Sequence, residues 1–97
     1  MTSFKQQQIL RELCGGLRET LGERVERVLL YGSQARGDQR EDSDLDVLVV
    51  VRGKFDYGDL ILRTSALVSE LSLRFGVVIA RAFVSKERFE RENSPFL

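Results

Sequence analysis

The sequence predicts a small α/β (α+β) fold, a sheet with helices packed on one face, and three observations carry that prediction. Val28-Leu29-Leu30-Tyr31, Val47-Leu48-Val49-Val50-Val51 and the stretch from Val77 to Val84 are short runs rich in branched side chains, the mark of β-strands. Two longer stretches repeat apolar residues at helical spacing instead. The resulting order is helix, strand, strand, helix, strand, helix, uninterrupted by any repeat, low-complexity tract or linker.

Each element has its own local reasons. Ser3 with Gln6 makes a capping box, and Ile9, Leu10, Leu13, Cys14, Leu17 and Leu21 form the apolar stripe of a first helix ending near Gly22. Gly15 and Gly16 within it each cost about 1 kcal/mol against alanine, which suggests close packing or a frayed second half. Val25 to Tyr31 is the first strand, and a turn and polar loop follow to Ser43. The second strand runs about from Leu45 to Arg52, where Gly53 breaks it. Asp56 caps a second helix, Asp59 sits in its first turn, and Leu60, Thr64, Leu67, Val68, Leu71 and Phe75 mark its buried face. Capping and the helix dipole account for those two acids better than catalysis does. Gly76 is placed to end the helix in a left-handed cap, and Ser85 caps a short charged helix after the third strand.

With 97 residues, 42% of them hydrophobic, the chain suits one domain spanning residues 1–97, with one modest core. An enzyme this small is expected to borrow part of its substrate site from a partner or a second copy. Fifteen acidic and fifteen basic residues cancel, so there is no global field to hold nucleic acid or an anionic membrane. The lone Cys14 cannot form an internal disulfide and reads as a small buried hydrophobe, since the chain has no His to activate it. No signal-peptide core and no apolar run of about 20 residues is present, so a soluble cytoplasmic protein is expected.

The stretch from Gly32 to Asp46 carries the chemistry. Alternation along a strand puts Asp44 and Asp46 on one face and Leu45 and Val47 on the other. Two carboxylates so close repel unless a cation lies between them, and oxygen-only ligation on a rigid edge suits Mg²⁺. A solvated acidic loop explains Asp38, Glu41 and Asp42, but not acids entering a five-residue aliphatic strand. Gly32 lets the backbone approach a ligand, and Ser33 offers a hydroxyl and an amide to phosphate oxygens. Arg36 either adds a contact to phosphate or pairs with Asp38 or Asp42.

Gly32-Ser33, ten residues, then Asp44-Leu45-Asp46 resembles the signature of the DNA polymerase beta-like nucleotidyltransferase superfamily. The fuller strings Leu30-Tyr31-Gly32-Ser33-Gln34-Ala35-Arg36-Gly37-Asp38 and Ser43-Asp44-Leu45-Asp46-Val47 are similar to the minimal nucleotidyltransferases, the antitoxin-type partners of HEPN proteins. The resemblance covers most of the chain and implies the nucleotidyltransferase fold, with a small mixed sheet and helices on one face. It implies nucleotide binding by Gly32, Ser33 and Arg36, and catalytic Mg²⁺ ligation by Asp44 and Asp46. It further implies transfer of a nucleoside monophosphate, with ATP as the expected nucleotide and a hydroxyl on a HEPN-family partner as the acceptor.

The pattern lacks one part. Active members of that family add a third carboxylate on the neighbouring strand, and the resemblance places it here at Gly76 or its immediate neighbours, yet the stretch 75–83 contains no Asp or Glu. Arg81 either faces that site or points to solvent, and Phe96 and Leu97 offer an apolar patch to a partner or pack back on the domain. An enzyme is the leading reading. The alternative is a nucleotidyltransferase-fold antitoxin or regulatory subunit that acts by protein binding alone. A nucleic-acid-binding module lacks a basic stripe and a stacking platform, and a P-loop lacks its Gly-Lys-Ser/Thr.

Overall fold

A computed structural model describes residues 3–31 and 44–92. The elements are helix α1 (Ser3–Leu21), a 3₁₀ turn (Gly22–Arg24), strands β1 (Val25–Tyr31) and β2 (Leu45–Val51), helix α2 (Tyr57–Phe75), strand β3 (Ile79–Ser85) and helix α3 (Lys86–Glu92). The order matches the one read from the sequence. The third strand starts two residues later than predicted, because Gly76 takes the left-handed conformation (φ 65°, ψ 40°) and its amide closes the end of α2 on the Ser72 carbonyl. Gly76 is therefore a helix cap and not a position on the sheet. At the other end of α2, Asp56 Oδ1 accepts from the Asp59 amide at 3.0 Å, and Asp59 pairs with Arg63 at 2.8 Å. Both acids are occupied by the helix, as their spacing predicts.

The sheet order is β1-β2-β3, with β1 antiparallel and β3 parallel to the central β2. Leu45, Val47, Val49 and Val51 point to one face and are buried against Ile9, Leu13 and Leu17 of α1 and Leu60, Val68 and Leu71 of α2. Both long helices thus pack on one face. The short α3 reaches toward the other side of the sheet, where Phe89 shares a hollow with Arg27 and Val50. Alternation of a fully apolar inner row with Asp46, Leu48 and Val50 on the outer face sets the register, since a slip of one residue would drive Asp46 into the core.

The two helical glycines separate cleanly. A Cβ on Gly16 would lie 2.4 Å from Leu67 Cδ1, so this glycine lets α1 and α2 approach, whereas Gly15 has open space around it. Gly15→Ala is expected to stabilise the fold by about 0.5–1 kcal/mol. Gly16→Ala instead overpacks the helix contact, a cost of about 1–3 kcal/mol that offsets the same gain. Thermal melts should place Gly16→Ala several degrees below Gly15→Ala, at about 4–8 °C per kcal/mol for a domain of this size. Equal melting temperatures would refute the close-packing account.

Candidate active site

The candidate site lies at the end of the sheet where β2 begins. Leu45 donates its amide to the Val78 carbonyl at 2.8 Å, which ties the start of β2 to the approach of β3. Asp46 follows inside the ladder, paired with Tyr31 on β1 and with Ala80 on β3. Its neighbours Leu45 and Val47 are fully buried on the helix side, so the half-buried Asp46 occupies the opposite, outer face. Asp44 stands one residue ahead of the strand and is exposed. The central strand thus presents one acid from a rigid ladder and one from its entry, two residues apart.

Gly32, Ser33 and Arg36 lie outside the described residues. The strand that leads into them is described, however, and it ends with Tyr31 beside Asp46. Tyr31 is 43% exposed and flanks the acid on the outer face, a neighbour that sequence reasoning missed. The sequence held no signal for it, because a connection as long as residues 32–44 leaves the β1–β2 register open.

Gly76, where the resemblance placed a third carboxylate, caps α2 and lies off the sheet. On β3 the residue facing Asp46 is Ala80, which is exposed, with Ala82 two residues on along the same face. Among the described residues no group of three or more His, Cys, Asp or Glu side chains gathers anywhere. The donor set of Asp44 and Asp46 fits a hard divalent cation that completes its shell with water and ligand oxygens.

Arg81 faces neither the acids nor open solvent. It shares the inner side of β3 with Ile79 and Phe83, and its guanidinium reaches α2: Nε donates to Thr64 Oγ1 at 2.7 Å, and a terminal nitrogen donates to the Ile61 carbonyl at 2.8 Å. Burial lowers its pKa from the usual value, and Tyr57 acts in the opposite direction. Apolar Ile79 and Phe83 on either side of Arg81 were the signal that its side of the strand is the inner one. Thr64, fully buried, donates its own hydroxyl to the Leu60 carbonyl at 2.8 Å while accepting from Arg81. Thr64→Val is expected to cost about 1–3 kcal/mol, because Arg81 Nε loses its acceptor in a half-buried place. In chemical denaturation, adding Arg81→Met should cost less than the sum of the single variants, and strict additivity would disprove the coupling.

Cys14 is half-buried, and burial pushes its thiol pKa up while Arg18 opposes the shift. A raised thiol pKa leaves less thiolate at neutral pH, in keeping with a packing role.

With this geometry in place, the family model of the nucleotidyltransferase domain matches residues 10–95, a span that includes all three strands and both acids. The chain belongs to the nucleotidyltransferase domain family. Nucleotidyl transfer is the chemistry of that family, and two proteins of Methanocaldococcus jannaschii, each named "Putative protein adenylyltransferase", resemble this nucleotidyltransferase domain. One is 33% identical over 89 residues, covering 92% of this chain and 83% of the relative. The other is 42% identical over 45 residues, 46% of each chain. A crystal structure named as a putative nucleotidyltransferase from Sulfolobus solfataricus superposes with a TM-score of 0.57 at 22% identity, over 94% of this chain and 82% of that one. That likeness establishes the nucleotidyltransferase fold. Among the described residues no helix is long and apolar enough to cross a membrane.

Proposed function

We propose that this nucleotidyltransferase domain binds Mg²⁺-ATP and transfers the nucleoside monophosphate to a hydroxyl of a partner protein, a HEPN-family protein in a toxin–antitoxin pair. The observation that carries the reading is Asp46 on the outer face of the central strand, with Asp44 just ahead of it and the strand leading to Gly32-Ser33 ending at its side. Gly32, Ser33 and Arg36 are assigned to the triphosphate, and Asp44 and Asp46 to Mg²⁺. Bound Mg²⁺ would supply neutralisation of the phosphate charge. The chain's own part is orientation: the β-ladder holds Asp46 on both sides, so the carboxylate needs little ordering when ligand arrives. In the transfer the acceptor hydroxyl oxygen bonds to the α-phosphorus and gives up its proton to water, the bond from the α-phosphorus to the bridging α–β oxygen breaks, and pyrophosphate leaves. The names of the Methanocaldococcus relatives support a protein as the acceptor.

The direct experiment incubates the domain with α-labelled ATP, Mg²⁺ and a candidate HEPN-family partner protein. Label on the partner with the wild type, and none with Asp46→Ala, is the expected result. Absence of label with both overturns the transfer reading.

A second reading has its own observation, the apolar Ala80 beside Asp46 where a carboxylate would complete a two-metal site. On it the domain binds nucleotide and neutralises its partner by covering a surface. An Asp44→Ala/Asp46→Ala double variant should then neutralise the partner as well as wild type does. Loss of neutralisation while the complex still forms excludes this reading.

A further inference from the structure

A cleft of about 740 Å³ opens at the other end of the sheet, where the parallel strands β2 and β3 terminate side by side. Arg52, Lys54, Lys86 and Arg88 line it together with Phe55 and Gly53. Arg24 joins them at its edge, its guanidinium donating to the Lys54 carbonyl at 3.5 Å. In a chain of zero net charge this is a concentration of cations at one place. Acids offset only part of it. Glu26, beside the cleft, is engaged by both Arg52 and Lys86, and Arg88 pairs with Glu92 at 3.0 Å. Glu87 is the acid of the lining itself, and among the described residues neither Lys54 nor Arg24 has a carboxylate partner.

We propose that this cleft is a docking surface for an acidic segment of the partner protein. Three features favour carboxylates on a peptide. The cations already hold one carboxylate between two of them at Glu26, whose pKa lies below its usual value chiefly through the bond from Arg52. Half-buried Phe55 and the aliphatic stems of the Lys and Arg side chains give the cleft an apolar floor beneath a charged rim, matching a segment that mixes acidic and apolar residues. The cations also gather in one compact hollow, whereas a nucleic-acid backbone needs them spread along a track of phosphates. Arg52 lies six residue steps beyond Asp46, about 20 Å at the rise of a strand, so docking and chemistry occupy opposite ends of the sheet. The inference rests on the proposed reading only in taking the partner to be the acceptor; docking itself requires no nucleotide.

Fluorescence anisotropy with a labelled hexaglutamate peptide and the whole chain tests it without nucleotide or metal. The peptide is expected to bind more weakly as salt rises. Lys54→Glu should weaken it about tenfold and Lys54→Glu/Arg88→Glu further, while Arg11→Glu, exposed on α1, leaves it unchanged. Lys54→Gln, a milder change, should fall between wild type and Lys54→Glu, and circular dichroism melts confirm that each variant is folded. No binding, binding indifferent to charge reversal at Lys54 and Arg88, or displacement by a hexanucleotide RNA at lower concentration than by unlabelled peptide overturns the proposal. If the transfer reading fails instead, peptide binding persists; if docking alone fails, label still reaches the partner.

Discussion

Asp46→Ala is expected to lower Mg²⁺-dependent ATP affinity, and nucleotidyl transfer with it, by on the order of 10²-fold. The size of the effect follows from position. Asp46 sits inside the ladder between Tyr31 and Ala80, so its carboxylate is preorganised on the outer face. Asp44 precedes the strand and is exposed, and its removal should cost less. Neither side chain belongs to the apolar core, so both variants should melt within a few degrees of wild type. Calorimetry of ATP binding with and without Mg²⁺ measures the effect. Unchanged affinity in Asp46→Ala would remove the acid pair from the nucleotide site altogether.

Ala80→Asp should change the domain in the opposite direction. Neighbouring strands lie about 4.8 Å apart, so the substitution places a new carboxylate next to that of Asp46. Without a cation the like charges repel, and the melting temperature should fall. A divalent cation between them reverses the sign, so Mg²⁺ should raise the melting temperature of Ala80→Asp more than that of wild type. On the transfer reading the same variant gains activity toward the partner, by about tenfold or more, because positioned carboxylates supply ligation and general-base help. If Mg²⁺ stabilises Ala80→Asp no more than wild type, the outer face at Asp46 and Ala80 is not a metal-binding surface.

Much of this was legible in the chain, for reasons that differ by element. The strand β1 begins and ends where Val25 and Tyr31 predict, because a bounded run of branched side chains has few other ways to fold. The capping acid Asp56 and the left-handed Gly76 were legible because helix ends impose local chemistry on single residues. The outer-face position of Asp46 was legible because alternation on one strand needs no knowledge of its neighbours, whereas Asp44 stands one residue ahead of that strand. Arg81 was not: its two open alternatives were the site and solvent, and it went to Thr64 and Ile61 on α2. Ile79 and Phe83 mark its side of β3 as the inner one, but its partners depend on how α2 packs across that side. Sheet register was not legible either: the resemblance put a third acid at Gly76 or its immediate neighbours, whereas Gly76 caps α2 and the parallel register pairs Ala80 with Asp46.

The sequence by itself determined the order of elements and the inner and outer rows of β2, both consequences of interactions spanning a few residues. Only the tertiary structure decided what stands beside each of those residues. Tyr31 and Ala80 flank the acid, Leu67 packs over Gly16, and five cations from separate segments meet beyond the end of β2. These are juxtapositions across strands and helices, and side-chain packing sets them through a register that no single segment contains.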